Sequence, residues 1–145
     1  MSETLIPRLN ALLADFTVSY QRLRHYHWTV KGPMFFQLHE RFEEMYNSTA
    51  LWIDELAERI VGLGGSPVGT MAELLQIASL SEDASSKDAA GMVQKLVEDQ
   101  RLLVAHLRDL NGAADEAGDA LTANMLEEIA DQAEKGAWML EAYLG

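Results

Sequence analysis

Apolar residues recur at steps of three and four along almost the whole chain, and that period commits it to a bundle of long helices. Leu9, Leu12, Leu13, Phe16, Tyr20, Leu23 and Val30 trace one stripe of a first helix over about residues 4–31, which Gly32-Pro33 stops. Phe35, Leu38, Phe42, Met45, Thr49, Ile53, Leu56, Ile60 and Leu63 predict a second over about residues 35–63, ended by Gly64-Gly65-Ser66-Pro67. Thr70-Met71-Ala72-Glu73 has the form of a capping box ahead of Leu74, Leu75 and Ile77, so a short helix is expected there, followed by polar loop from Ser79 to Lys87. A third long helix is predicted over about residues 88–110, closed by Asn111-Gly112, and a fourth over about residues 119–143. The fold class is all-α: one domain over residues 1–145, a four-helix bundle whose second and third helices are joined by a long crossover carrying the short extra helix.

Composition narrows the chemistry. The 145 residues include no cysteine, which excludes disulfides, thiolate zinc sites and iron–sulfur clusters, so any metal must be held by nitrogen and oxygen. No stretch approaches the roughly 18 to 20 apolar residues that span a bilayer, and Met1-Ser2-Glu3-Thr4 lacks the features of a secretory signal; a cytoplasmic protein is expected. A formal charge of −12 repels phosphate backbones and attracts cations, although surplus acid also serves solubility alone. The placement of the acids has to decide.

The second helix decides it. At about 100° per residue, His39, Glu43, Asn47, Asp54 and Glu58 cluster roughly 120° from the apolar stripe, forming a separate face that also carries Ala50 and Ala57. Small residues there let another helix approach closely. Glu40, Arg41, Glu44, Glu55 and Arg59 point elsewhere, as solvated residues should. Asp54 and Glu58, one turn apart, can reach one cation, although an isolated acid pair is ordinarily just a solvated face. The Gly32-Pro33 turn brings His27 and His39 to similar height, and a lone histidine on an apolar stripe, as His27 is, would ordinarily be a core residue. His39 and Asp54 lie 15 residues apart on one helix, roughly 22 Å, too far for a shared ion.

One chain therefore cannot close the site, but two can. If the second helix packs antiparallel on its own copy about a two-fold axis near Asn47-Ser48, His27 and His39 of one chain meet Asp54 and Glu58 of the other. That nitrogen–oxygen set suits iron(II) or zinc, and Glu43, one turn from His39, is placed for a second ion or a bridging water. His25 points to another side, and His106 has no carboxylate partner at helical spacing, so neither is a candidate ligand. An intrasubunit di-iron site built on Glu-x-x-His motifs is disfavoured, because the sequence contains none.

His27-Trp28, Gly32, Phe36, Leu38-His39-Glu40, Asp54-Glu55-Leu56-Ala57-Glu58-Arg59, Leu63-Gly64-Gly65-Ser66-Pro67 and Trp138-Met139-Leu140-Glu141-Ala142-Tyr143-Leu144-Gly145 together resemble the Dps family of miniferritins over nearly the whole chain. The resemblance implies a ferritin-like bundle, a hollow twelve-subunit shell, and a ferroxidase that oxidises iron(II) preferentially with hydrogen peroxide and stores ferric oxide inside, protecting against oxidative damage. It implies His27, His39, Asp54 and Glu58 as ferroxidase ligands, where zinc, suited to the same donor set, is an expected competitor, and Trp28 as the tryptophan that intercepts stray oxidising equivalents, with simple packing as the alternative reading. It also implies acid-lined pores at three-fold axes, with Asp115 and Asp119 as candidates near Glu116; Asn124 stands where some relatives carry another aspartate, which makes the expected pore less negative.

Many relatives bind DNA through a lysine-rich tail, whereas Arg8 is the only basic residue among the first ten here, so DNA binding is expected to be weak or absent. Two other classes compete with the enzyme: a non-enzymatic DNA-compacting shell, and a structural bundle whose polar face is only a subunit interface.

Overall fold

The long α1 (Ser2–Thr29) and α2 (Phe35–Gly62) form one antiparallel hairpin, and α4 (Ala89–Glu116) and α5 (Ala120–Leu144) form another. The crossover between them carries the short α3 (Met71–Ile77), which lies against α1. This computed structural model describes residues 2–145; Met1, at the head of the N-terminal segment read above, lies outside them. All described elements are helices, so the all-α bundle with one extra short helix is the observed fold. Among the described residues no helix is long and apolar enough to cross a membrane.

The stripes become the core. Leu9, Leu12, Leu13, Phe16 and Leu23 of α1, Leu38, Phe42, Leu56 and Ile60 of α2, Leu96, Leu103 and Leu107 of α4, and Leu126 and Ile129 of α5 are all buried. Ile53 is only half-buried; Trp52 takes the central place beside it, with its ring 5.6 Å from that of Phe16. Burial at this scale, about 1.5 to 3 kcal/mol for each large apolar side chain, is what holds helices whose intrinsic propensity alone is marginal.

Buried polar side chains of α1 fix the crossover. Asn10 donates to the Ser66 carbonyl at 3.1 Å and accepts from the Val68 amide at 2.9 Å. Asp15, 1% exposed, accepts from the amides of Ser79 and Leu80 at 2.6 and 2.9 Å. Arg22 pairs with Asp99 of α4 at 2.6 Å and donates to the Ser81 carbonyl, satisfying two buried charges at once. Asp15 and Arg22 thereby draw the segment expected to be polar loop inward far enough to bury Leu80.

Two helix ends need glycine. Gly64, at φ +89°, donates to Val61 while Gly65 donates to Ile60, which caps α2 in a Schellman motif. Gly65 lies so close to α1 that a Cβ there would sit 2.7 Å from Ile6 Cδ1. The other end corrects the sequence reading: Asn111-Gly112 does not close the fourth helix of the chain. Asn111 Nδ2 donates to the Ala123 carbonyl at 2.6 Å and Ala114 is fully buried, and these gains outweigh the roughly 1 kcal/mol cost of a mid-helix glycine. α4 runs on to Glu116 and ends where Gly118 adopts φ +75°. At the other end of the chain, α1 stops at Thr29, two residues before the expected boundary.

Candidate metal centre

The turn at Gly32-Pro33 folds the end of α1 onto the start of α2 and brings the two histidines together. Their imidazoles stack, with centroids 3.7 Å apart and planes 13° from parallel. Each ring grips the backbone of the other: His27 Nδ1 donates to the His39 carbonyl at 2.6 Å, and His39 Nδ1 donates to the His27 carbonyl at 2.7 Å. A carbonyl can only accept, so both Nδ1 atoms carry a proton, and Nε2 is the nitrogen left to offer a lone pair to a metal ion. Orienting a metal-binding histidine through its other nitrogen is the usual device of metal sites. His27 is buried, as the core reading expected, but its partners make it a fixed donor rather than a filler.

Glu43 reaches the same point. Its Oε1 lies 3.6 Å from His27 Nε2, with the carboxylate half exposed. Tyr46, next on that face, sets its ring edge 5.3 Å from His27, and partial burial followed by the Glu43 charge pushes its phenol above the ordinary value. Phe35 covers the outer face of His39 at 4.9 Å. Phe35 was read only as part of the apolar stripe and Tyr46 was not singled out, although Phe35 stands four residues before His39 and Tyr46 three after Glu43, the spacings that place residues side by side on a helix.

Asp54 and Glu58 share the exposed side of α2 farther along, and among the described residues neither has an ion-pair partner. Nor do any described residues of one chain gather three or more histidines and acids able to hold a metal ion. The single subunit thus carries two separate groups of candidate ligands, the His27 and His39 nitrogens where α1 meets the start of α2 and the Asp54 and Glu58 carboxylates farther along α2. Between and beyond them the same face carries the exposed apolar Leu51, Val61 and Phe36, which a monomer would leave in water.

The remaining candidates are placed as follows. Trp28 is 56% exposed and lies against Arg24, whose guanidinium sits 5.1 Å from its ring centroid, so it is not core packing within the subunit. Asp115 is on the last turn of α4, not in a loop, with its side chain exposed. Asp119 is the N-cap of α5, accepting from the Thr122 amide at 3.1 Å and the Thr122 hydroxyl at 2.5 Å and pairing with Arg59 at 3.0 Å. Partial burial opposes the Asp119 charge, but these donors outweigh it and hold its carboxyl below the usual range. Arg59, expected to be solvated, instead ties the end of α2 to the start of α5, donating also to the Thr122 hydroxyl at 2.8 Å. His106 does have a carboxylate partner, Asp15 at 3.3 Å, which helical spacing could not reveal because Asp15 comes from α1.

The crossover bundle has the architecture of a ferritin-like protein, and residues 6–145 match the family described as a ferritin-like domain. Within that class the chain belongs to the Dps family. It is 43% identical to DNA protection during starvation protein 2 of Bacillus anthracis, covering 99% of each chain. It is 48% identical to general stress protein 20U of Bacillus subtilis (strain 168) over 100% of both. The Dps protein from Vibrio cholerae O1, described as a member of a broad superfamily of ferritin-like diiron-carboxylate proteins, superposes with a TM-score of 0.95 at 39% identity, covering 99% of this chain and 91% of that one.

Proposed function

We propose that this protein is a ferroxidase that oxidises iron(II), preferentially with hydrogen peroxide, at sites shared between two chains, and stores the ferric product inside a hollow shell of twelve subunits. The observation that carries the reading is the reciprocal histidine clasp. The two stacked imidazoles are each held through Nδ1, Glu43 is the one carboxylate beside them among the described residues, and no described group of three or more ligands closes within one chain, which is what a centre completed by a partner requires. A two-fold axis near Asn47-Ser48 brings the partner's Asp54 and the partner's Glu58 to that place, and the exposed Leu51 and Val61 become interface.

In this reading His27 and His39 supply neutral nitrogen, Asp54 and Glu58 supply charge, and Glu43 holds a second iron or a bridging water. Two iron(II) ions each give one electron to one peroxide, which takes two protons and leaves as two waters, so no hydroxyl radical is released. That pairing is the basis of protection against oxidative damage. Trp28 intercepts oxidising equivalents that escape. Zinc, with the same taste for nitrogen and oxygen, competes for the site. Asp115, unpaired by any cation among the described residues, attracts iron toward the interior, while Asp119 lines the approach with its charge largely matched by Arg59.

The test is to add iron(II) anaerobically, titrate hydrogen peroxide, and follow ferric absorbance while size-exclusion chromatography locates the iron. Rapid oxidation at about two irons per peroxide, with iron co-eluting in a twelve-chain particle, is expected. Slow oxidation with precipitated iron and a dimer-sized peak would overturn both the enzyme and the shell.

A further inference from the structure

Four rings stand in one file at the start of α2: Phe35, His39, His27 and Tyr46. Phe35 stacks on His39 with centroids 4.9 Å apart and planes 25° from parallel, His39 on His27 at 3.7 Å, and the Tyr46 edge meets the far side of His27 at 5.3 Å. Phe35 has no lone pair to offer a metal ion, so its contribution must be geometric. Each imidazole is fixed at one point, its Nδ1 hydrogen bond. The χ2 torsion of histidine is broad, and a single hydrogen bond leaves the ring free to tilt about that contact. A flat neighbour on the open face removes the tilt, because stacked rings resist it.

Phe35 is itself anchored. Its amide donates to the Gly32 carbonyl at 3.0 Å across the α1–α2 turn, and the Phe36 ring meets it edge-on at 5.3 Å. The turn that pairs the two helices therefore also sets the wall against which His39 rests.

We propose that Phe35 is a positioning residue of the metal centre, holding the His39 imidazole so that Nε2 already points at the incoming cation before it arrives. The proposal deepens the reading of a shared metal centre and rests on it. Preorganised donors lose less freedom on binding, so the effect belongs in metal affinity and in the order of the ring; Phe35 also packs against the cluster of Leu38 and Phe42, so a change in melting temperature is not diagnostic of the positioning role.

The experiment uses the assembled protein with 15N-labelled imidazoles, and Co(II) as a non-oxidising stand-in for iron(II). Phe35→Leu keeps apolar bulk but loses the flat face, while Phe35→Trp keeps the face. Leu38→Val serves as a control that loosens the same turn through the buried side of the helix. In Phe35→Leu the solid-state 15N signals of His39 should broaden and split between tautomers in the metal-free protein, and Co(II) should bind more weakly by roughly 2- to 10-fold. Phe35→Trp should restore both, and Leu38→Val should change the melting temperature while leaving the His39 signals alone. If Phe35→Leu leaves the signals and the Co(II) affinity within two-fold of the parent, or if Leu38→Val disturbs the ring equally, the proposal is wrong. Should the parent not bind Co(II) at all, the metal-centre reading fails, and the ring signals still decide the role of Phe35.

Discussion

Complementation between crippled chains is the sharpest check on a site shared across a two-fold axis. Take one chain with His39→Ala and another with Asp54→Ala and Glu58→Ala. Alone, each builds dimers in which both sites lack ligands, and iron oxidation should fall by more than about 100-fold, since even an outer-shell change costs 10- to 100-fold at a metal site. Co-expressed in equal amounts, half of the dimers should be mixed. In a mixed dimer the carboxylate-deficient chain still offers its histidines and the histidine-deficient chain still offers its carboxylates, so one site is whole and the other has lost both halves. About a quarter of the parental sites, and about a quarter of the peroxide-driven ferric absorbance, should return. The roughly 22 Å between His39 and Asp54 on one helix makes any other route to recovery untenable. No recovery in mixed assemblies of normal size would refute the shared site. Full activity in the Asp54→Ala, Glu58→Ala chain alone would go further and reduce the polar face to a plain interface.

Other expectations concern what holds the subunit together. Asp99→Ala should cost about 3 to 5 kcal/mol in denaturant unfolding, because it strands Arg22 as a buried unpaired charge, whereas replacing both with apolar residues should cost much less; equal losses would show that the pair is not a coupled unit. Asp119→Ala should cost about 1 kcal/mol at neutral pH through the lost cap. Since the folded carboxyl titrates below its unfolded value, that contribution is present above about pH 4 and fades as the pH falls through the folded value, so parent and variant should converge in acid; a gap that persists there would contradict the assignment. Gly65→Ala should destabilise by about 1 to 3 kcal/mol in thermal melts, because three Ile6 atoms, the nearest at 2.7 Å, would have to move; an unchanged midpoint would mean the α1 contact is loose.

Periodicity was enough for the helices because each buries one stripe, and the amphipathic signal survives however the helices are arranged. It failed at Asn111-Gly112, where a local stop signal was outvoted by contacts with α5 that no window along the sequence can contain. The site divided along the same line. Four of its residues fall on faces that the helical wheel can separate, and the His27–His39 pairing follows from the intervening turn. The locking of each Nδ1 on the opposite carbonyl was invisible, since it depends on the separation of two backbones. Asp15, Arg22 and Arg59 escaped notice for a related reason. Their partners lie 59 to 91 residues away, and a polar residue on a predicted helix reads as solvated unless its long-range partner is known.

In the proposed function, the division of ligands between two chains also ties metal uptake to assembly. The histidine half is formed within one chain by the two Nδ1 hydrogen bonds and the ring stack, so it needs no cation to persist. The carboxylate half is exposed and charged, and closing the proposed dimer carries Asp54 and Glu58 of each chain toward the partner's Glu43. Without metal, that face gathers like charges at close range while the whole chain already carries −12. In the proposed function a divalent ion in each site would remove the repulsion and bridge the chains. By reciprocity, whatever strengthens the dimer must then strengthen metal binding by the same factor, and the ion must stabilise the dimer equally. Dissociation midpoints in denaturant should therefore rise with Zn(II) and fall with a chelator in the parent, and stay level when Asp54 and Glu58 are both changed to Asn and Gln. A metal effect that survived that double change would place the ion elsewhere than at the two-fold interface.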